Sequence, residues 1–193
     1  PNVGVVAVPP APAGVSYTQI TGSEVHTAVL RSDGTVFESL SNAPLPPPPP
    51  GLRYVQIDAG FAVTMGLLSD GTVRAPLPAP PLPQGTRYLE VASGDYHHVA
   101  RRSDGAVVAW GNNGSGQLDV TAPPFGVTYV EIEAGTEFTA ARRSDGRVVV
   151  WGTGQYGLRS PPAPLPGLSF VGLAASPGDL AALVGAVSTY VTF

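Results

Sequence analysis

Apolar and polar residues alternate with period two in short runs along this chain, and Gly, Pro or Asp bounds each run. From Tyr129 the order is Tyr-Val-Glu-Ile-Glu-Ala, then Phe138-Thr-Ala-Ala-Arg-Arg, then Ser144-Asp145-Gly146, then Val148-Val-Val-Trp. Such alternation marks short strands with unequal faces. An Asp-Gly dipeptide between two of them predicts an antiparallel hairpin with a type I′ turn, both central residues at φ > 0. Versions of the stretch occur five times, so the chain reads as a repeat protein.

The units open on Tyr17, Tyr54, Tyr88, Tyr129 and Phe170, and the turn aspartates are Asp33, Asp70, Asp104 and Asp145. Aromatic and aspartate are sixteen residues apart in all four units that have both, which predicts one fixed hairpin geometry. From aspartate to the next aromatic the distance is 21, 18, 25 and 25 residues, so insertions collect in one connection per repeat. In the fifth unit the turn has decayed to Gly185-Ala186. The first strand places apolar residues one and three positions after the aromatic, as in Val55/Ile57 and Leu89/Val91, with Gln19, Gln56, Glu90 and Glu131 between them. The second carries small residues (Ala28, Gly66, Ala100, Ala141, Ala182), expected where neighbouring sheets approach. The third runs through Val36, Val73, Val107, Val148 and Thr189.

A three-stranded sheet this small must stack on neighbours, and radial stacking gives an all-β propeller of short three- to four-stranded blades. Residues 1–193 are expected to form a single domain with repeats starting near 17, 54, 88, 129 and 170. Val3 to Val8 reads as a strand that helps close the last of five blades. The alternative is an incomplete ring completed by oligomerisation.

Composition narrows this picture. Apolar residues make up 43% of the 193 positions and charged residues 12%, while 24 Gly and 22 Pro fall between the apolar runs. That distribution favours turn-rich β structure over disorder. The formal charge of −4 disfavours nucleic acid, which needs a basic surface. With no Cys there is no disulfide framework, and no apolar run is long enough for membrane insertion as a helix. The start at Pro1 reads as a processed or trimmed product. The sequence does not settle the compartment; an extracellular site or an assembly surface is favoured.

The stretches V-V-A-W-G-N-N-G-S-G-Q-L (107–118) and V-V-V-W-G-T-G-Q-Y-G-L (148–158), with the A-G-x-x-x-T and S-D-G elements before them, resemble the regulator-of-chromosome-condensation repeat. Units near forty residues are similar to its bacterial short-repeat branch, which includes the propeller-type β-lactamase inhibitory protein. The resemblance covers Tyr17 to about Val187 and is strongest in units three and four. It implies a propeller that binds a protein through rim aromatics. Enzyme inhibition and guanine-nucleotide exchange, as in relatives, are less favoured readings for this chain.

Candidate chemistry is sparse. The S-D-G carboxylates read as hairpin turns rather than calcium ligands, because each turn offers one Asp where calcium needs six to eight oxygens. His97 and His98 are neighbours on a strand and point to opposite faces, which suits no metal pair. His26 has no His partner at ligand spacing. No catalytic triad motif or phosphate-cradling loop is present, so no catalytic residue, metal or cofactor is expected. Arg101-Arg102 and Arg142-Arg143 read as hairpin flanks meeting Glu90, Glu131 and Glu133, or as an acidic-partner site. The proline runs 44–50, 76–83 and 161–166 read as stiff linkers or lateral packing surfaces, or as ligands for proline-binding domains.

Strand order places the first-hairpin loops, the variable linkers and the third-strand ends on one rim. That rim is expected to carry Glu24, Asp95 and Glu137, and the partner-binding set Phe61, Tyr96, His97, Trp110, Asn112, Asn113, Phe138, Trp151, Gln155 and Tyr156. Trp110 and Trp151 are equally readable as plugs between blades. The reading is a non-catalytic propeller binding a protein partner over units three and four. Its alternative is a structural, self-assembling subunit with lateral proline contacts.

Overall fold

The computed structural model describes residues 7–23, 25–41, 43–61, 63–153, 161–176 and 178–186. All regular structure in them is strand. The first unit is β1 (Tyr17–Gly22), β2 (Thr27–Arg31) and β3 (Val36–Ser39); the second is β4 (Tyr54–Gly60), β5 (Val63–Leu68) and β6 (Val73–Arg74). The third is β7 (Tyr88–Ser93), β8 (His97–Arg102) and β9 (Val107–Gly111); the fourth is β10 (Tyr129–Ala134), β11 (Phe138–Arg143) and β12 (Val148–Gly152). The fifth contributes β13 (Leu168–Ala175) and β14 (Leu180–Ala186). Each unit is one antiparallel sheet in sequence order, giving five propeller blades. Gly185 and Ala186 pair with Ser169 and Leu168, so without an S-D-G element β14 runs on where the other units turn. Of the expected N-terminal strand, residues 3–6 lie outside the described residues, as does Thr189; Ala7 and Val8 are not in a strand.

The register corrects two expectations. A β-bulge follows the opening aromatic in every unit. The residue one place on is therefore unpaired, and Val55, Leu89 and Val171 are exposed while Ile57, Val91 and Ile132 are buried. Opposite Ile20 stands Val29, not Ala28, whereas Gly66, Ala100, Ala141 and Ala182 hold that place in the other units. At Gly66 the small residue makes room for its own unit's aromatic, since a Cβ there would lie 2.5 Å from the Tyr54 ring.

The turns are also not type I′. Gly34, Gly71, Gly105 and Gly146 have φ between +76 and +83, but none of the preceding aspartates has positive φ. Gly34 N–H donates to the Arg31 carbonyl and Arg31 N–H to that of Thr35, a type I turn closed by a left-handed glycine bulge. Asp33 accepts the Thr35 amide at 2.9 Å and its hydroxyl at 2.7 Å. Each turn also docks on the next unit. The Gly34, Gly71, Gly105 and Gly146 carbonyls accept the amides of Tyr54, Tyr88, Tyr129 and Phe170 at 2.9 to 3.3 Å.

Side chains of each first strand grip the next first strand. Gln19 accepts the Ile57 amide and donates to its carbonyl at 2.9 and 2.7 Å, and Gln56 does the same to Val91. Glu90 and Glu131 accept the amides of Ile132 and Leu173 at 3.1 and 3.0 Å. A carboxylate cannot donate onward, and its second oxygen takes Arg101 or Arg142 at 2.7 or 2.6 Å. Two places along, Thr21 and Asp58 accept the amides of Ala59 and Ser93, and Glu133 that of Ala175. The fifth unit has Gly172 and Ala174 at these places and reaches no further.

Apolar cores fill the junctions of units one to four, each with a linker residue packed in: Leu45, then Ala79 and Leu82, then Val120. Tyr17, Tyr54, Tyr88 and Tyr129 each donate a hydroxyl hydrogen bond to the carbonyl eight residues upstream, at Pro9, Pro46, Pro80 and Thr121. Tyr54 and Tyr88 thereby pin the first two proline linkers against the sheets.

Candidate partner-binding rim

The first-hairpin loops meet the third-strand ends on one rim. The Asn112 amide donates to the Tyr96 carbonyl at 2.9 Å. Gly152, after Trp151, has φ +91, and a Cβ there would lie 2.2 Å from the Glu137 carbonyl oxygen. Close approach of strand end and hairpin therefore explains the glycine of each Trp-Gly pair.

On this rim Phe61 and Tyr96 are exposed, 37% and 60%, with ring centroids 5.8 Å apart. They sit on the hairpin loops of units two and three. Asn112 and Asn113 are also exposed and shape the loop after β9, accepting the amides of Gly114 and Leu118 at 2.7 Å. Trp151 is half-buried, edge-on to Tyr129 at 5.6 Å.

Three expected rim residues lie inside. Phe138 is fully buried, its ring filling the space where a Cβ on Gly135 would be. Trp110 is buried, donates its indole N–H to the Leu77 carbonyl at 3.1 Å and lies tilted against His98 with ring centroids 5.5 Å apart. His97 is fully buried and bonds Thr139 Oγ1 in the next unit at 2.9 Å. All three are packing residues, because the next blade or linker covers what an isolated strand would expose. Gln155, Tyr156 and Glu24 lie outside the described residues. Sequence reasoning missed Leu40, exposed at the end of β3 with φ 59. No local pattern distinguishes it.

Along the axis the inner strands enclose a cavity of about 130 Å³, lined by Thr21, Asp58, Ser93, Asp95, Glu133 and Ala175 among others. Asp58 accepts from Thr21 Oγ1 at 2.8 Å and from the Ser93 amide at 2.7 Å. Burial nevertheless raises its pKa above the usual carboxylate value. Glu133 is pushed up to about 7 by burial first, then by the charges of Asp58, Glu131 and Glu90. The histidines shift the other way. Burial lowers His26, and holds His97 and His98 at about 4, with His98 adding repulsion at His97.

The four paired arginines are engaged. Arg101 and Arg142 hold Glu90 and Glu131, while Arg102 and Arg143 pair with Asp104 and Asp145 of their own turns. Glu133 meets the axis instead of an arginine. Among the described residues no group of three or more His, Cys, Asp or Glu could hold a metal ion. Nor is any helix among them long and apolar enough to cross a membrane.

Residues 89–117 and 129–158 match the family model of the regulator of chromosome condensation (RCC1) repeat. Units three and four therefore match that repeat in sequence, within a chain whose five blades have the propeller fold. Its fold is similar to Prp20p from Saccharomyces cerevisiae, with TM-score 0.67 and 19% identity over 83% of this chain and 53% of that one. Human WBSCR16 is similar at TM-score 0.70 and 17% identity, over 88% and 60%. The C-terminal domain of gp131 from bacteriophage phiKZ is similar at TM-score 0.52 and 18% identity, over 79% and 59%. The chain thus spans between about half and 60% of these structures. No curated protein matches it in sequence.

Proposed function

We propose that the chain is a non-catalytic binding propeller that takes a protein partner over the hairpin loops of units two and three. The Phe61–Tyr96 pair carries this reading: two exposed rings in contact, on loops held by rigid sheets. Exposed aromatics on a preformed surface contribute strongly once a partner covers them. The acidic axial mouth with Asp95 beside them favours a partner surface that is apolar and basic. The sequence-based site over units three and four moves back one unit, because Trp110 and Phe138 face inward. Prp20p, which shares the fold, has binding properties toward Gsp1p and histones. That supports a protein partner here without naming one.

The test is to capture the partner from the native source and measure its affinity for Phe61→Ala and Tyr96→Ala. Phe125→Ala serves as control, an exposed aromatic near Thr128, which packs on the Gly105 turn. Each rim variant is expected to lose about 2 kcal/mol or more of binding, and the control none. Folded rim variants that bind like the parent would exclude this surface.

A further inference from the structure

The linkers between units carry a period of three. In those entering units two, three and four, the residues nine and six places before the opening tyrosine are half-buried: Leu45/Pro48, Ala79/Leu82 and Val120/Pro123. The residues ten, seven and four places before it are exposed: Pro44/Pro47/Pro50, Pro78/Pro81/Gln84 and Asp119/Ala122/Phe125. Three residues per turn is the repeat of polyproline II, so each linker lays one edge on the sheets and turns another outward.

In the linker entering unit two the chain itself dictates this conformation. Leu45 to Pro49 each precede a proline, which disfavours the α region for them, and the ring fixes φ from Pro46 to Pro50. Hydrogen bonds then hold the segment in place. Glu38 accepts the Leu45 amide at 2.6 Å, and Tyr54 donates its hydroxyl to the Pro46 carbonyl at 2.9 Å. The Leu52 amide closes a turn on the Pro49 carbonyl. Leu45, on the inward edge, joins the apolar core with Leu30 and Ile57. Packing asks for no proline on the outward edge, where the linker entering unit four carries Asp119, Ala122 and Phe125. Pro44, Pro47 and Pro50 nevertheless fill all three outward places here.

We propose that the outward edge of Pro44, Pro47 and Pro50 is a docking ridge for a partner domain whose aromatic-lined groove reads polyproline II. Their rings recur every third residue, the spacing that such grooves take up. Pro46 to Pro50 have no N–H, so this segment cannot pair with an added strand. It offers rings and carbonyls, which suit aromatic faces with a Trp N–H or Tyr O–H at their edge. The blade has already ordered the ridge, so docking loses little conformational entropy.

The test probes an array of purified SH3, WW and EVH1 domains with the labelled full chain. Some domains should bind, and a free oligoproline peptide should displace them. Pro47→Ala and Pro50→Gln should each weaken that binding about tenfold or more, the loss of one anchor. Pro48→Leu should leave it unchanged, since it alters the inward edge to the residue found at Leu82. Thermal unfolding checks each variant, and should Pro47→Ala melt early, Pro50→Gln decides, carrying the residue found at Gln84. An array on which no domain binds overturns the proposal. So does binding that Pro48→Leu weakens as much as the outward variants, which would make the prolines stiffeners only. A parent that self-associates through the ridge, with Pro50→Gln monomeric, overturns it in favour of lateral packing.

Discussion

Gln56 holds Val91 through both halves of its amide, accepting the Val91 N–H and donating to the Val91 carbonyl, each at 3.0 Å. Glu90 at the same place in the next unit can only accept, and it does so only from Ile132 while Arg101 occupies its other oxygen. The residue across the strand pair follows this chemistry: Leu30 and Leu67 opposite Gln, Arg101 and Arg142 opposite Glu. Gln–Leu and Glu–Arg are two solutions to one junction.

Removing one member of the Glu–Arg solution should therefore be worse than exchanging both. Arg101→Leu leaves the Glu90 carboxylate half-buried without its cation and should cost about 1 to 3 kcal/mol. Adding Glu90→Gln rebuilds the pair found in units one and two, and should recover most of the loss. Urea unfolding of the two single variants and the double variant gives the coupling directly.

Acid should destabilise the fold well above the usual carboxylate range. His97 and His98 titrate near 6.5 when unfolded but near 4 when buried. Between these values folding releases protons, so stability is full above pH 6.5 and falls as pH drops toward 4. The full difference is worth about 3 kcal/mol per histidine. Denaturant midpoints measured across this window should rise with pH. His98→Thr, the residue found at Thr27, Thr64 and Thr139, should flatten the slope.

Glu133 contributes the opposite slope. Its pKa rises on folding from 4.5 to about 7, so the folded state prefers the protonated acid and loses stability as pH climbs through that range. Glu133→Gln keeps an oxygen for the Ala175 amide and cannot ionise. It should equal the parent below pH 4.5 and exceed it in thermal midpoint at pH 8.

In the Asp-Gly turns only the glycine is conformationally required. Gly146 has φ +76, and a Cβ there would come within 2.5 Å of the Ser169 side chain, so Gly146→Ala should cost about 1 to 2 kcal/mol from the left-handed backbone alone. Asp145→Ala loses an exposed pairing with Arg143 and should cost about 1 kcal/mol or less. Equal losses in chemical unfolding would mean that both turn residues are strained.

The strands and their repetition were legible because period-two alternation and a constant spacing are local properties of the chain. So was the rim, which follows from strand order alone. The turn type was misread because Ser-Asp-Gly serves a two-residue and a three-residue loop equally well, and the hydrogen bonds of the closing pair choose between them. The bulge after each aromatic had no local signal, yet it decides that Leu89 faces water while Val91 is buried.

By itself the sequence determined five units, their antiparallel hairpins and the side of the propeller on which the variable loops gather. Only the tertiary structure decided which aromatics on that side meet solvent. Blade stacking covers both faces of an interior sheet, so alternation along a strand cannot separate Tyr96, left outside, from Phe138, sealed against Gly135.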